Sequence, residues 1–278
     1  MALDNIVAYL LDRSRLSFSG HKRSLLRQRL ERRLSELQLP DFSAYWRYLA
    51  SSADEDGKLF DLATTNETSF FRNPAQFDYL HDHIVPGILC SSGSDTSSLR
   101  ILCAGCSTGE EPYSVAMALL DAIGSSNRRQ VDIVAGDISE SCLKIARAGY
   151  YESEKLSKLP AGYRERFMTG DTHGAIVKDD LKRIVRFTRL NLDELMKSDC
   201  PSWNLGLGVF DIIFCRNVMI YFASSCQQQL VDTLQRLLVP GGYLFTGDAE
   251  PLHLFRHEFQ PVTEASCLIY QKNGEISQ

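Results

Sequence analysis

Through residue 63 the apolar positions recur three and four apart. Leu25, Leu26, Leu30, Leu34 and Leu37 fall near the helical period, and no alternating strand pattern interrupts them. Pro40 with Asp41, and then the polar run SSADEDG at 51–57, mark helix boundaries. This part predicts a small all-helical domain. The pattern changes after CSSGSDTSS at 90–98, a small polar run of linker character. Short apolar runs then alternate with amphipathic stretches: LRILCAG, QVDIVAGD, FDIIFCRN, GGYLFTG and ASCLIYQK predict strands. EEPYSVAMALLDAIG predicts a helix with Pro112 in its first turn and Gly124 near its end, SESCLKIARAGYY a helix opened by a serine cap, and SSCQQQLVDTLQRLLVP another helix.

Such alternation implies an α/β domain with a largely parallel, doubly wound sheet. Residues 151–190 break the rhythm. LPAGYRERFM predicts a short helix, while GAIVKDD with LKRIVRFTRL alternates like an antiparallel hairpin, so a small β insertion is expected there.

The length of 278 residues and a hydrophobic content of 44% allow one large domain or two unequal ones. No apolar run reaches 18 residues and no basic segment precedes the apolar part of the N-terminus, so neither a membrane span nor a secretory signal is expected, and the cytoplasm is the expected compartment. The chain stops soon after the last predicted strand, so no appended regulatory module is expected. Eight scattered cysteines, mostly inside apolar runs, predict free buried thiols. Cys103 and Cys106 form a CxxC, but a closed zinc site needs a second pair at comparable spacing, and His81 and His83 are two apart and do not share a helix face. No metal is expected.

Charge is unevenly placed. Residues 1–50 hold nine Lys/Arg against five Asp/Glu, whereas the other 228 residues hold 21 against 30. Lys22, Arg23, Arg27, Arg29, Arg32 and Arg33 crowd the stretch from His21 to Arg33 with only Glu31 opposed. The row reads either as a solvated helix face or as a surface that docks an anionic partner, an acidic helix or a phosphate backbone.

Candidate chemistry gathers at predicted strand ends, where open α/β sheets bind ligands. Gly105, Ser107, Thr108 and Gly109 form a turn that lets backbone approach a ligand, but without GxGxxG spacing and followed by Glu110 and Glu111. Two acids there repel a pyrophosphate and suit a cationic ligand, or else they only stabilise the helix N-terminus. Asp137 ends the second strand, where an acid accepts both ribose hydroxyls of NAD or of S-adenosylmethionine, and the acidic turn favours the latter. In RLNLDE, Asn191 and Leu192 would flank an adenine, although asparagine in a turn is common for local reasons. Arg216, Asn217 and Tyr221 follow the strand FDIIFC.

Read together, NETSFFRNPAQFDYL, CAGCSTGEEPYSVAMAL, DISESCLKIARAGYY, FDIIFCRNVMIYF and PGGYLFTGDAEPL closely resemble the CheR-type chemotaxis receptor glutamate O-methyltransferases, in consistent order over residues 20–270. The resemblance implies an all-α N-terminal domain, a Rossmann-like methyltransferase domain with an inserted antiparallel β-subdomain at about 160–190, and S-adenosylmethionine as methyl donor. The implied division is a docking domain and linker over 1–72 and a catalytic domain over 73–278. It implies cofactor contacts from Asn66, Thr68, Arg72, Glu111, Asp137, Asn191, Leu192, Arg216 and Asn217, with Arg72 and Tyr221 beside the transferred methyl. Of the two adjacent acids, Glu111 is preferred to Glu110. The substrate would be glutamates on the cytoplasmic helical bundle of a chemoreceptor, docked by Arg23, Arg27, Arg29, Arg32 and Arg33. The turn in TGDTHGAIVKDD is compact, which argues against tethering to a receptor's C-terminal pentapeptide and for direct recognition of the bundle. A nucleic-acid methyltransferase is the first rival, but RNVMIYF lacks the N/D-P-P-Y/F motif of adenine N6 enzymes and no Pro-Cys nucleophile is present. A non-catalytic adaptor is the second, and the Arg72, Asp137 and Tyr221 set speaks against it.

Overall fold

The computed structural model describes residues 2–64, 66–91, 98–124, 130–197, 208–263 and 265–274. Positions 92–97 of the polar run between the two halves, and Cys200, lie outside them.

The leucine periodicity folds as expected. Helices α1 (Ala2–Ser14), α2 (Gly20–Glu36), α3 (Phe42–Ser51) and α4 (Ala53–Ala63) enclose one core built on Ile6, Leu10, Leu26, Leu30, Tyr45, Leu49, Leu59 and Phe60. Asp41 caps α3 by accepting from the Ala44 N–H at 2.8 Å, which satisfies one donor left free at a helix start. Tyr45 and Arg33 both reach the buried Glu55, the arginine with two N–H groups at 3.0 and 2.7 Å. The domain therefore holds a charge pair inside as well as an apolar core.

After α5 (Pro74–Tyr79) and α6 (Val85–Ser91) the chain enters the sheet. Its elements in order are β1 (Leu99–Ala104), α7 (Glu110–Ile123), β2 (Val131–Asp137), α8 (Glu140–Ala148), β3 (Tyr150–Glu152), α9 (Ser153–Leu156), α10 (Tyr163–Phe167), β4 (Met168–Gly170), β5 (Gly174–Val177), α11 (Asp179–Ile184), β6 (Val185–Arg189), α12 (Leu192–Lys197), β7 (Phe210–Cys215), α13 (Ser224–Leu237), β8 (Leu238–Thr246), β9 (Phe259–Pro261) and β10 (Ile269–Lys272). Among the described residues the main sheet has seven strands in the order β6-β2-β1-β7-β8-β10-β9. The first five run parallel, and β10 pairs antiparallel with both β8 and β9. Ile101, Ile133 and Ile212 point to one face, and Leu102, Val134 and Ile213 to the other. Both faces are covered, which is why these strands read as continuous apolar runs.

One expectation fails. LKRIVRFTRL is not the second arm of a hairpin with GAIV: its first part forms α11, and its second part is β6, which pairs parallel with β2 at the edge of the main sheet. The small antiparallel sheet has the order β3-β5-β4, so Tyr150–Glu152, at the end of the predicted helix segment, supplies its third strand. An alternating pattern specifies a strand with unlike faces but not its partner, and Phe187 packs against the main core where pairing with Ala135 places it. Also unforeseen was the short edge strand β9. Among the described residues no helix is long and apolar enough to cross a membrane.

Candidate active site

The residues singled out in the sequence converge on one pocket between the helical domain and the C-terminal edge of the parallel strands. Its empty volume is about 1050 Å³ counting the open mouth, and Asn66, Thr68, Arg72, Glu111, Asp137, Asn191, Leu192, Arg216, Asn217 and Tyr221 all line it.

The floor is the turn after β1. Gly105 has φ +85°, and a Cβ there would lie 2.4 Å from Val218 Cγ2, so only glycine fits. The N–H groups of Gly105 and Cys106 both donate to the Gly136 carbonyl, which binds the tips of β1 and β2 together. Beside them Asp137 Oδ2 accepts from the Ser107 N–H at 2.7 Å and Oδ1 from the Ser139 N–H at 2.9 Å. Burial raises the Asp137 carboxyl, and those N–H groups oppose the rise.

Glu110 and Glu111 face opposite ways. Glu110 is fully buried, accepts from Thr108 Oγ1 at 2.6 Å and from Lys155 Nζ at 2.5 Å, and lies away from the pocket. Glu111 faces into it, with Oε2 at 3.5 Å from Arg216 Nη1. Burial pushes Glu111 up to about 7, against the pull of Arg216 and Arg72.

Arg216 is 5% exposed. Its Nη2 donates to the Arg72 carbonyl, its guanidinium lies 5.5 Å from the Phe77 ring centroid, and Nε and Nη1 have no hydrogen-bond partner among the described residues. Burial lowers its pKa. Two unmatched donors on a buried cation at a pocket wall are costly unless an anionic or polar ligand meets them.

Thr64, Asn66, Glu67, Thr68, Ser69 and Arg72 form the third wall. Phe70 meets Tyr151 edge-on at 4.9 Å, and Phe71 packs on Phe77 and Tyr163 while its N–H donates to Ser114 Oγ. Both phenylalanines are buried. Arg72 beside them is exposed, with Nη1 on the Glu67 carbonyl at 3.0 Å. Asn191 donates to the Arg13 carbonyl and accepts from the Asp193 N–H, so both ends of its amide already serve the start of α12 and the junction with α1.

Sequence reasoning missed the contribution of the α1–α2 connection. Ser14, Leu16, Ser17 and Phe18 line the pocket, Leu16 bridges Phe222, and Ser17 N–H donates to the Tyr221 carbonyl. Lys22 lies 5.1 Å from the Tyr221 ring centroid and donates to the Ile220 carbonyl. Nothing in the periodicity of residues 14–18 signals a partner two hundred residues away.

The chain matches the CheR methyltransferase all-alpha domain over residues 1–64 and the CheR methyltransferase SAM binding domain over residues 66–267. It belongs to the CheR methyltransferase family. Chemotaxis protein methyltransferase 2 of Pseudomonas aeruginosa is 38% identical over 255 residues, covering 89% of this chain and 86% of the relative. The chemotaxis protein methyltransferase of Escherichia coli is 37% identical over 247 residues, covering 87% and 81%. The relative named "Probable biofilm formation methyltransferase WspC" of Pseudomonas aeruginosa is 33% identical over 272 residues, covering 98% of this chain and 62% of its own length. This CheR-family chain is thus an S-adenosylmethionine-dependent methyltransferase, with an all-α N-terminal domain before its Rossmann-like sheet. The pocket suits that cofactor: carboxylates at Glu111 and Asp137 match an amino group and ribose hydroxyls, and the free donors of Arg216 match a carboxylate.

The five arginines expected to dock a partner divide. Arg29 donates to the carbonyls of Leu62 and Thr64 and so caps α4, while Arg33 holds Glu55. Arg23 pairs with Asp4 and Arg27 with Glu31 at the surface, and Arg32 is exposed.

Proposed function

We propose that this CheR-family enzyme esterifies glutamate side chains on the cytoplasmic helical bundle of a chemoreceptor, producing glutamate methyl esters and S-adenosylhomocysteine in sensory adaptation. The observation that carries the reading is the placement of an exposed arginine, Arg72, on the rim of a pocket whose interior holds Glu111, Asp137 and Arg216.

Bound S-adenosylmethionine supplies an electrophilic methyl group. The acceptor carboxylate, with an ordinary pKa of about 4.3, is already ionised at neutral pH, so no general base is required. What remains for the chain is binding, orientation and exclusion of water. In this reading Glu111 pairs with the cofactor's amino group, Asp137 accepts from its ribose, and Arg216 with Asn217 meets its polar end. Asn66, Thr68, Asn191 and Leu192 complete the cradle, the last covering an adenine face. Arg72 orients the acceptor carboxylate from the rim, and Tyr221 shapes the path of the methyl. Residues 1–72 form the docking domain and linker and 73–278 the catalytic domain.

Docking falls to the arginines that the fold leaves outside. Arg27 and Arg32 present charge to an acidic receptor helix, with Arg23 beside them, while Arg29 and Arg33 support the shape of that face from within. The three-residue connection between β4 and β5, tightened by Asp171 accepting from the His173 N–H, supports direct bundle recognition over a tail tether.

The test is incubation with methyl-labelled S-adenosylmethionine and receptor-bearing membranes. Base-labile methyl esters on the receptor support the reading, and label in nucleic acid instead overturns it.

A further inference from the structure

Glu250 is absent from the pocket wall, yet it is 4% exposed and its carboxylate accepts three backbone N–H groups from two loops. Oε2 accepts from Asn217 at 2.6 Å and from Gly247 at 2.9 Å, and Oε1 accepts from Ile220 at 3.2 Å. Gly247 follows β8, whereas Asn217 and Ile220 belong to the segment after β7 that carries Arg216, Asn217, Val218, Tyr221 and Phe222 of the pocket.

That segment lies outside the long strands and α-helices. Asn217 has φ +58°, a left-handed conformation that costs a non-glycine residue free energy and persists where surroundings over-determine it. Only one 3₁₀ turn, Met219–Tyr221, follows. Its hydrogen bonds to Glu250 restrain it from the β8 side, adding to those from the α1–α2 connection, where the Ser17 N–H reaches the Tyr221 carbonyl and Lys22 the Ile220 carbonyl. The fit is tight enough to dictate a neighbour: a Cβ on Gly247 would lie 2.7 Å from Glu250 Oε2 and 2.9 Å from the Asn217 nitrogen.

We infer that Glu250 is a positioning residue for methyl transfer, which through the Asn217 and Ile220 N–H groups fixes the Arg216–Tyr221 segment and hence the Tyr221 ring against the cofactor pocket. The inference rests on the role proposed above for Tyr221. It has an electrostatic side too: burial raises Glu111, Arg216 and Arg72 oppose the rise, and the Glu250 charge adds to it. The other titratable groups that sense Glu111 are the Cys103, Cys106 and Cys215 thiols, which burial keeps protonated.

The experiment compares the wild-type protein with Glu250→Gln, Glu250→Asp, Tyr221→Ala and the Glu250→Gln/Tyr221→Ala double variant. Methyl transfer to receptor-bearing membranes gives the rate, and calorimetry from pH 5.5 to 8.5 gives S-adenosylhomocysteine affinity. Glutamine turns an NH₂ towards an N–H, and aspartate falls short by one methylene, so each should lower the rate about 10- to 100-fold while affinity at pH 8 changes less. The double variant should be no slower than the slower of the two single variants. A role in folding alone would lower the melting temperature but leave the acidic limb of binding in place; here Glu250→Gln, having lost the charge, should move that limb to lower pH, and Glu250→Asp should not. Wild-type rates in both Glu250 variants, an additive double variant or an unmoved limb in Glu250→Gln would overturn the inference. Full activity of Tyr221→Ala would remove the role of Tyr221 and with it the route assigned to Glu250, whereas impaired Tyr221→Ala beside fully active Glu250 variants would overturn the inference on Glu250 alone.

Discussion

Glu111 Oε2 and Arg216 Nη1 stand 3.5 Å apart in the wall of the cofactor pocket, near enough to attract but not hydrogen-bonded. The two belong to the start of α7 and the end of β7, so the pair spans the turn at which the sheet opens. Burial strains both charges: it lifts the acid to about 7 and lowers the arginine. A site prepared in this way gains more from a ligand carrying both an amino and a carboxylate group than a solvated pair would.

The first prediction follows from that acid. Above pH 7 Glu111 is ionised and can pair with an ammonium, and below it the carboxyl is protonated. S-adenosylhomocysteine affinity should fall as pH drops through about 7, and Glu111→Gln should weaken binding about 10- to 100-fold while flattening the pH dependence. Calorimetry across pH 5.5 to 8.5 checks both outcomes.

The same shift has a stability consequence of opposite direction. A carboxyl raised in the folded state binds its proton more tightly there than in the unfolded chain, so this group's contribution declines as pH rises from the unfolded value of 4.5 to about 7. Ligand-free Glu111→Gln should therefore melt at a higher temperature than wild type at pH 8, with the gap closing towards pH 4.5. Scanning calorimetry of both proteins across that range decides it.

Arg72 is exposed on the rim, and among the described residues its side chain hydrogen-bonds only the Glu67 carbonyl. Arg72→Ala should lower kcat for receptor methylation by at least about 100-fold, with a smaller change in cofactor affinity. Equal losses in both would remove its proposed action on the acceptor carboxylate.

The arginines of α2 should separate by function. Charge reversal at Arg27 and Arg32 together should reduce kcat/KM for the receptor by about tenfold, more at low salt, with cofactor affinity unchanged. Steady-state rates at two ionic strengths provide the measurement.

Arg33→Ala should behave differently, because it leaves the buried Glu55 without its bidentate partner. A loss of about 3 kcal/mol in urea unfolding is expected, against almost none for Arg32→Ala. A stability loss of similar size in both variants would show that the pair with Glu55 is not what distinguishes them.

The alternation of apolar runs determined by itself the helical start, the doubly wound sheet and the strand ends at which Asp137 and Arg216 stand, because backbone period and buried faces act locally. What the chain order left open was pairing at a distance. The partner of LKRIVRFTRL was decided by which edge of which sheet would bury Phe187, and the direction of Glu110 by Lys155, 45 residues on. Arg29 and Arg33 look like their exposed neighbours in sequence, yet they were drawn inward by the α4 carbonyls and by Glu55. The α1–α2 connection and Glu250 joined the site for the same reason: an unsatisfied backbone group finds its partner through the tertiary fold, and a one-dimensional pattern carries no record of that distance.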